Sequence, residues 1–465
     1  MPYCKIGRSI ADAIVSKDGS KGLTESSKDE ESCSIFYQRY GHGPTKVLLI
    51  IGLAGNHQSW GPQVKGLCGT DVPHEEEGGE DVVVENRNGG GGDDECSDSH
   101  ETLFSEEDGF LSSSVNESSD WENGNAREDT GNGIEVCTFD NRGVGKSFIP
   151  KDRSNYTTKT MALDVLDLLD HLGWEKTHVC GHSMGGMIAC KLAATAPHRL
   201  SSLTLIGVTG GGYQCLPKFN RKSLSILYRI YRAKTPEERS AVDLETHYTD
   251  DYLEATVGET SRRALLFKEY VKNLLHGGMQ PRYGLEGQAS ACWNHSLSSD
   301  EIATIQSAGV IVALVHGRGD VIAQVEHARN LTKKLHPVSR MIELHGGHLV
   351  MHQNTEEVNA ILLGVIRAVR MNVKCTEFKA SDAGLYEGGD YWQTEDTRSQ
   401  GVEQKQGGAV ALPSPISASE SVVSAFWRKV LPDLSDLFDI FPFLHRVSKL
   451  VGIDRLWEKV SVYYD

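Results

Sequence analysis

The chain has 465 residues, 39% of them apolar, and a net charge of −17, which is length enough for a full-sized core and more than one domain. The acidity is local: residues 75–130 hold nineteen Asp or Glu and two Arg, so the remainder carries 45 charges of each sign and gives no basic footprint for nucleic acid. No stretch approaches the ~18 uncharged apolar residues of a membrane span, the first twenty residues lack the apolar run of a secretory signal, and Pro2 replaces the glycine that myristoylation needs.

Ten scattered cysteines without C-x-x-C spacing read as reduced thiols in a cytoplasmic setting, with no metal site. Residues 1–30 are polar and weakly patterned, which predicts a flexible N-terminus. "SIFYQRYG" (34–41) and "KVLLII" (46–51) read as strands, the second buried and running into "GLAGNHQSWGPQ". Composition then shifts to Gly, Ser and acid, so 73–130 is expected to be a disordered insert. Order resumes with the strand "IEVCTFD" (134–140) and the amphipathic helix "TMALDVLDLLDHLGW" (160–174), closed by Gly173. The strand "THVCG" leads into a helix from Met184 to Ala196, stopped by Pro197, and "SSLTLIGV" (201–208) is the next strand.

Residues 209–305 then read as consecutive helices, such as "SLSILYRIYRAK" and "SRRALLFKEYVKNLLHG", which suggests a lid. Alternation returns with the strand "GVIVALVHG" (309–317), the helix "IAQVEHARNLTKKL", the strand "SRMIEL" and the helix "TEEVNAILLGVIRAV". Strands alternating with helices argue for an α/β protein with a mostly parallel sheet covered on both faces. The core is thus expected in 31–72, 131–208 and 306–372, a linker in 373–419, and amphipathic helices in 420–465. Those last apolar faces have three destinations: the body, a protein partner or a membrane surface.

"VCGHSMGGMIAC" (179–190) places Ser183 between Gly181 and Gly185, where a strand must bend sharply into a helix. That bend exposes the hydroxyl at its apex, as a nucleophile requires. A serine hydroxyl needs a base, and an imidazole serves best when a carboxylate orients it. Asp320 follows the strand "VIVALVHG" and His348 follows "SRMIELHGG", so both sit in loops at C-terminal strand ends. Asp320 could also cap the next helix, and His345 and His352 compete with His348. No Asp or Glu occurs in 208–236 as an alternative acid. Asp140 and Arg142 read as a structural pair fixing their loop.

These residues resemble the α/β-hydrolase fold superfamily (AB hydrolase-1 type), and the chain is most similar to its plant-type, lid-bearing serine hydrolases. The order Ser183, Asp320, His348 is the family's order, and "FDNRGVGKS" (139–147) matches its D-x-R-G-x-G-x-S loop. "GLAGNHQSW" matches the loop whose backbone supplies half of the oxyanion hole, although Ile51 stands where the family often carries histidine. The resemblance implies an oxyanion hole from the Leu53 and Met184 N–H groups, an ester substrate and no cofactor. The branches that open epoxides use aspartate at the elbow, where this chain has Ser183. Within the helical excursion, Tyr213 and Trp293, with Tyr228, Tyr231 and His295, are candidate pocket walls. A serine esterase or lipase-like acyl hydrolase is the reading expected, and a slow-turnover receptor signalling through lid closure is the rival.

Overall fold

The computed structural model describes residues 2–7, 33–74, 133–217 and 221–379. The acidic insert beyond His74, the C-terminal helices of 420–465, and most of the N-terminal and linker stretches lie outside these residues. The strands are β1 (Tyr3–Lys5), β2 (Ser34–Tyr40), β3 (Thr45–Ile50), β4 (Ile134–Phe139), β5 (Thr177–His182), β6 (Leu200–Ile206), β7 (Thr256–Val257), β8 (Thr260–Ser261), β9 (Ile311–Gly317) and β10 (Ser339–Leu344). All but β7 and β8 form one sheet in the order β1-β2-β4-β3-β5-β6-β9-β10. The β1–β2 and β2–β4 pairs are antiparallel and every later pair is parallel. β7 and β8 make a separate antiparallel two-residue ladder.

The helices are α1 (Gly61–Cys68), α2 (Thr158–His171), α3 (Met184–Thr195), α4 (Arg221–Arg232), α5 (Pro236–His247), α6 (Asp250–Glu254), α7 (Arg262–Gly277), α8 (Arg282–Trp293), α9 (Ser299–Ser307), α10 (Val325–Leu335), α11 (Val350–Gln353) and α12 (Thr355–Arg370). The two-residue period of a strand decides which face each side chain serves. On β3, Leu48 and Ile50 join the apolar cluster of α2 and α3, while Val47 and Leu49 join that of α1 and α12. With both faces covered, the central strands are buried almost throughout, and β9 is buried along its whole length.

Four expectations change. Tyr3–Lys5, placed in a flexible N-terminus, forms an edge strand on β2, and Cys4 is buried beneath it. Three residues are too few for a periodic signal, and only the partner strand completes their hydrogen bonds. The helix expected from Ile322 begins at Val325, because Asp320 Oδ1 accepts the N–H groups of both Ile322 and Ala323 and holds a turn there. Within the stretch read as lid, α9 lies on α3: Lys191 bonds both carboxylate oxygens of Glu301, and Ile305 is fully buried. It is a crossover helix of the body. The linker expected from 373 holds Phe378, fully buried against the α12 side, so the packed body runs at least that far.

Candidate active site

Ser183 stands between β5 and α3 with φ 51° and ψ −119°, a left-handed conformation that costs a non-glycine residue of order 1–3 kcal/mol. The surroundings enforce it. A Cβ on Gly181 would lie 2.4 Å from the Gly185 carbonyl oxygen, and one on Gly185 would lie 2.1 Å from that of Ile50. Only glycines let the two backbones approach this closely. The Ser183 N–H is held by the Ile206 carbonyl at 2.8 Å, leaving the hydroxyl at the apex.

The structure brings Ser183, His348 and Asp320 together. His348 Nε2 is 3.0 Å from Ser183 Oγ, and His348 Nδ1 is 2.7 Å from Asp320 Oδ2. Asp320 serves two partners: Oδ1 accepts the Ile322 and Ala323 N–H groups, each at 2.8 Å, while Oδ2 faces the histidine. Burial works to raise this carboxyl, but His348, His316 and the Ala323 N–H outweigh it and hold it below its ordinary value. An ionised carboxylate only accepts, so His348 Nδ1 carries the proton and Nε2 takes the Ser183 hydroxyl. The two loops are stitched by Gly319 N–H donating to the Gly346 carbonyl at 2.8 Å, with Gly317 too close to Gly347 for any side chain.

Met184 opens α3, so its N–H has no carbonyl in a preceding turn to bond. Gly52 comes so close that a Cβ there would sit 2.9 Å from Ser183 Cβ, which puts the Gly52-Leu53-Ala54 turn beside the hydroxyl. Ala54 in that turn has φ 64°. Ile51, in place of the histidine of the resemblance, is buried, and its carbonyl accepts from Asn141 Nδ2 at 2.9 Å.

Asp140 and Arg142 do not pair with each other. Asp140 Oδ1 accepts from the His57 N–H at 2.7 Å and meets its ring Nδ1 at 2.8 Å, while Oδ2 accepts the Lys146 N–H. Arg142 makes a two-pronged pair with Asp164 on α2. The acid therefore ties the loop after β3 to the loop after β4, and the arginine ties that loop to a helix. His182, next to Ser183, braces the histidine loop, since its Nε2–H donates to the His348 carbonyl at 3.0 Å. Burial and nearby His348 hold its ring well below the ordinary histidine value, so it stays neutral.

His345 pairs with exposed Asp251 at 2.7 Å. His352 is half-buried, with Nε2–H donating to the Ser59 carbonyl and Nδ1 facing the Tyr248 hydroxyl. From there a chain of hydrogen bonds runs through Tyr270 to His247, joining α11 to α5 and α7. Tyr213 is 69% exposed, its ring edge-on to His327, and Trp293 is half-buried at the end of α8. His295 bonds Thr158 on α2 and Tyr228 lies under Arg232, while the Tyr231 side chain is outside the described residues. Among the described residues, no group of three or more His, Cys, Asp or Glu is placed to hold a metal, and no helix is long and apolar enough to cross a membrane.

A parallel sheet with a serine at a strained strand-to-helix turn and a histidine and acid at neighbouring strand ends defines the class. Residues 108–355, more than half the chain, match the model of the alpha/beta hydrolase fold, and the protein belongs to that family. It is 35% identical over 103 residues to "Putative carbamate hydrolase RutD" of Azorhizobium caulinodans, a match covering 22% of this chain and 37% of that one. "Epoxide hydrolase 4" of Homo sapiens is 38% identical over 71 residues, covering 15% of this chain and 20% of the human one. The chain thus spans well under half the length of these two relatives. Among solved structures it is similar to the enol-lactonase from Burkholderia xenovorans, at 17% identity and a TM-score of 0.49, covering 72% of this chain and 98% of that one.

Proposed function

We propose that the protein is a serine hydrolase that cleaves a small-molecule carboxylic ester through an acyl-enzyme. The observation that carries this reading is the continuous line from Ser183 Oγ to His348 at 3.0 Å and from His348 to Asp320 at 2.7 Å, at the apex of a strained turn. Ser183 attacks the carbonyl carbon while its proton passes to His348 Nε2. Asp320 stabilises the imidazolium and keeps the tautomer. The Met184 and Leu53 N–H groups receive the charge that develops on the carbonyl oxygen, typically the largest single contribution to the rate. Collapse expels the alcohol, which takes the proton from His348. Water, deprotonated by the same nitrogen, then releases the acid.

A carbamate carbonyl is open to the same attack. An epoxide is not, since that route needs a carboxylate at the elbow and Ser183 stands there. The helices α4 to α7 (221–277) are the proposed lid over this site, with Tyr213 and Trp293 as walls. The test is labelling by a fluorophosphonate and hydrolysis of a p-nitrophenyl ester series, for the wild type and Ser183→Ala. The variant should lose labelling and about four to six orders of magnitude in rate while keeping its fold. Equal labelling of both proteins would remove Ser183 from the mechanism.

A further inference from the structure

Gln288, on α8, is fully buried, and both ends of its amide are hydrogen-bonded. Its Oε1 accepts the Ala54 N–H at 3.0 Å and a Gln280 Nε2–H at 2.9 Å. Its own Nε2 donates to the Arg142 carbonyl at 2.9 Å, and Gln280 sends a second N–H to the Gly143 carbonyl at 2.9 Å. One side chain therefore bridges the loop after β3 and the loop after β4. The partners also settle which way the amide points: the oxygen faces two donors and the nitrogen faces an acceptor.

The helix beneath Gln288 has no room to shift. A Cβ on Gly284 would lie 1.9 Å from the Gly143 carbonyl oxygen, and one on Gly287 would lie 2.3 Å from the Tyr156 ring. Two glycines on one face bring α8 into direct contact with the body, and one turn on, Gln288 reaches Ala54. Ala54 has a left-handed φ of 64° that an alanine does not adopt unaided. The adjoining turn, through Gly52, touches Ser183.

We infer that Gln288 is a positioning residue for the oxyanion loop. By capturing the Ala54 N–H it fixes the Leu53–Ala54 peptide, and with it the direction of the neighbouring Leu53 N–H. The inference rests on the serine-hydrolase reading and adds a positioning residue to it: oxyanion stabilisation depends on a helix that the sequence pattern assigns to the lid. α8 is then part of the catalytic scaffold, fixed against the body by Gly284 and Gly287.

The experiment uses the full chain and Gln288→Met, which keeps the volume and removes all three hydrogen bonds. A donor moved by a fraction of an ångström to an ångström should cost about 10- to 100-fold in rate. That loss should fall in kcat, with KM for a short p-nitrophenyl ester changing less than about twofold. Affinity for a trifluoromethyl ketone, which presents an oxyanion, should fall by the same factor. Amide hydrogen exchange at Ala54 should speed up in the variant. The proposal is overturned if Gln288→Met keeps kcat and ketone affinity, or if KM alone rises. Should that variant fail to fold, Gln280→Met, which removes only the supporting bonds, must give a smaller loss of the same kind; unchanged ketone affinity there also overturns it. Failure of the hydrolase reading is separate, because it shows in the wild type as absent labelling and absent turnover, whereas Ala54 exchange still reads the clamp.

Discussion

Replacing Asp320 by Asn separates the two roles of this carboxylate. In the wild type Oδ1 accepts two backbone N–H groups and Oδ2 accepts the His348 Nδ1–H. An asparagine has one oxygen for these two positions. Placing its NH2 at the Oδ1 position would oppose two donors, whereas placing it at the Oδ2 position opposes one. The oxygen therefore stays with Ile322 and Ala323, and the NH2 donates to His348 Nδ1. His348 then carries its proton on Nε2, facing Ser183, and cannot accept the hydroxyl proton. The expected loss is about four orders of magnitude in kcat, or about 5.5 kcal/mol of barrier, with the turn and hence the stability nearly kept. Asp320→Ala should lose comparable activity and also about 1–3 kcal/mol of stability, because two backbone N–H groups lose their acceptor. The assay is kcat on a p-nitrophenyl ester beside thermal unfolding of both variants. Asp320→Asn activity within tenfold of wild type would refute the reasoning and place the acid elsewhere.

Acid should destabilise the fold. Burial, with Arg370 and Lys176, brings His178 down to about 4, and burial, with Lys191, brings His295 down to about 3. Both stay neutral when folded while the unfolded chain takes protons below about 6.5, so their contribution is full above that pH and is lost as the pH falls toward 4. The pair should cost about 3 kcal/mol between pH 7.5 and 5.5, and a flat Tm over that range would contradict it. A chain ending after Lys379 should keep its Tm and activity, whereas one ending after Asn372 loses buried Phe378 and about 3–5 kcal/mol, read by denaturant unfolding. Equal stability of the two would mean Phe378 holds nothing. Deleting 75–131 with a short Gly-Ser join should leave Tm within about 3 °C and kcat within about twofold, because both roots meet at the β2–β3 turn. There His74 N–H donates to the Arg39 carbonyl, and Gly133 packs against Gly43. A drop beyond that would show that the insert supports the body.

Local pattern alone was enough to read the strand–helix alternation, the Ser183 turn and the positions of Asp320 and His348. Each depends on chemistry within a few residues: two-residue and 3.6-residue periods, glycines either side of a bend, an acid or histidine just past a strand. The chain order of the three loops then placed them at one end of a parallel sheet. What tertiary structure alone decided are pairings between distant residues that carry no local signal. Asp140 and Arg142 are two residues apart, which invited pairing them, yet their loop turns them to His57 and to Asp164. Tyr3–Lys5 became a strand because β2 offered an open edge, and Phe378 became core because the α12 side had room for a ring. Gln288 was one more polar residue in a helical run. It meets Ala54, 234 residues away, because Gly284 and Gly287 let α8 lie directly against the body, and buried amides at that distance must find one another's donors and acceptors.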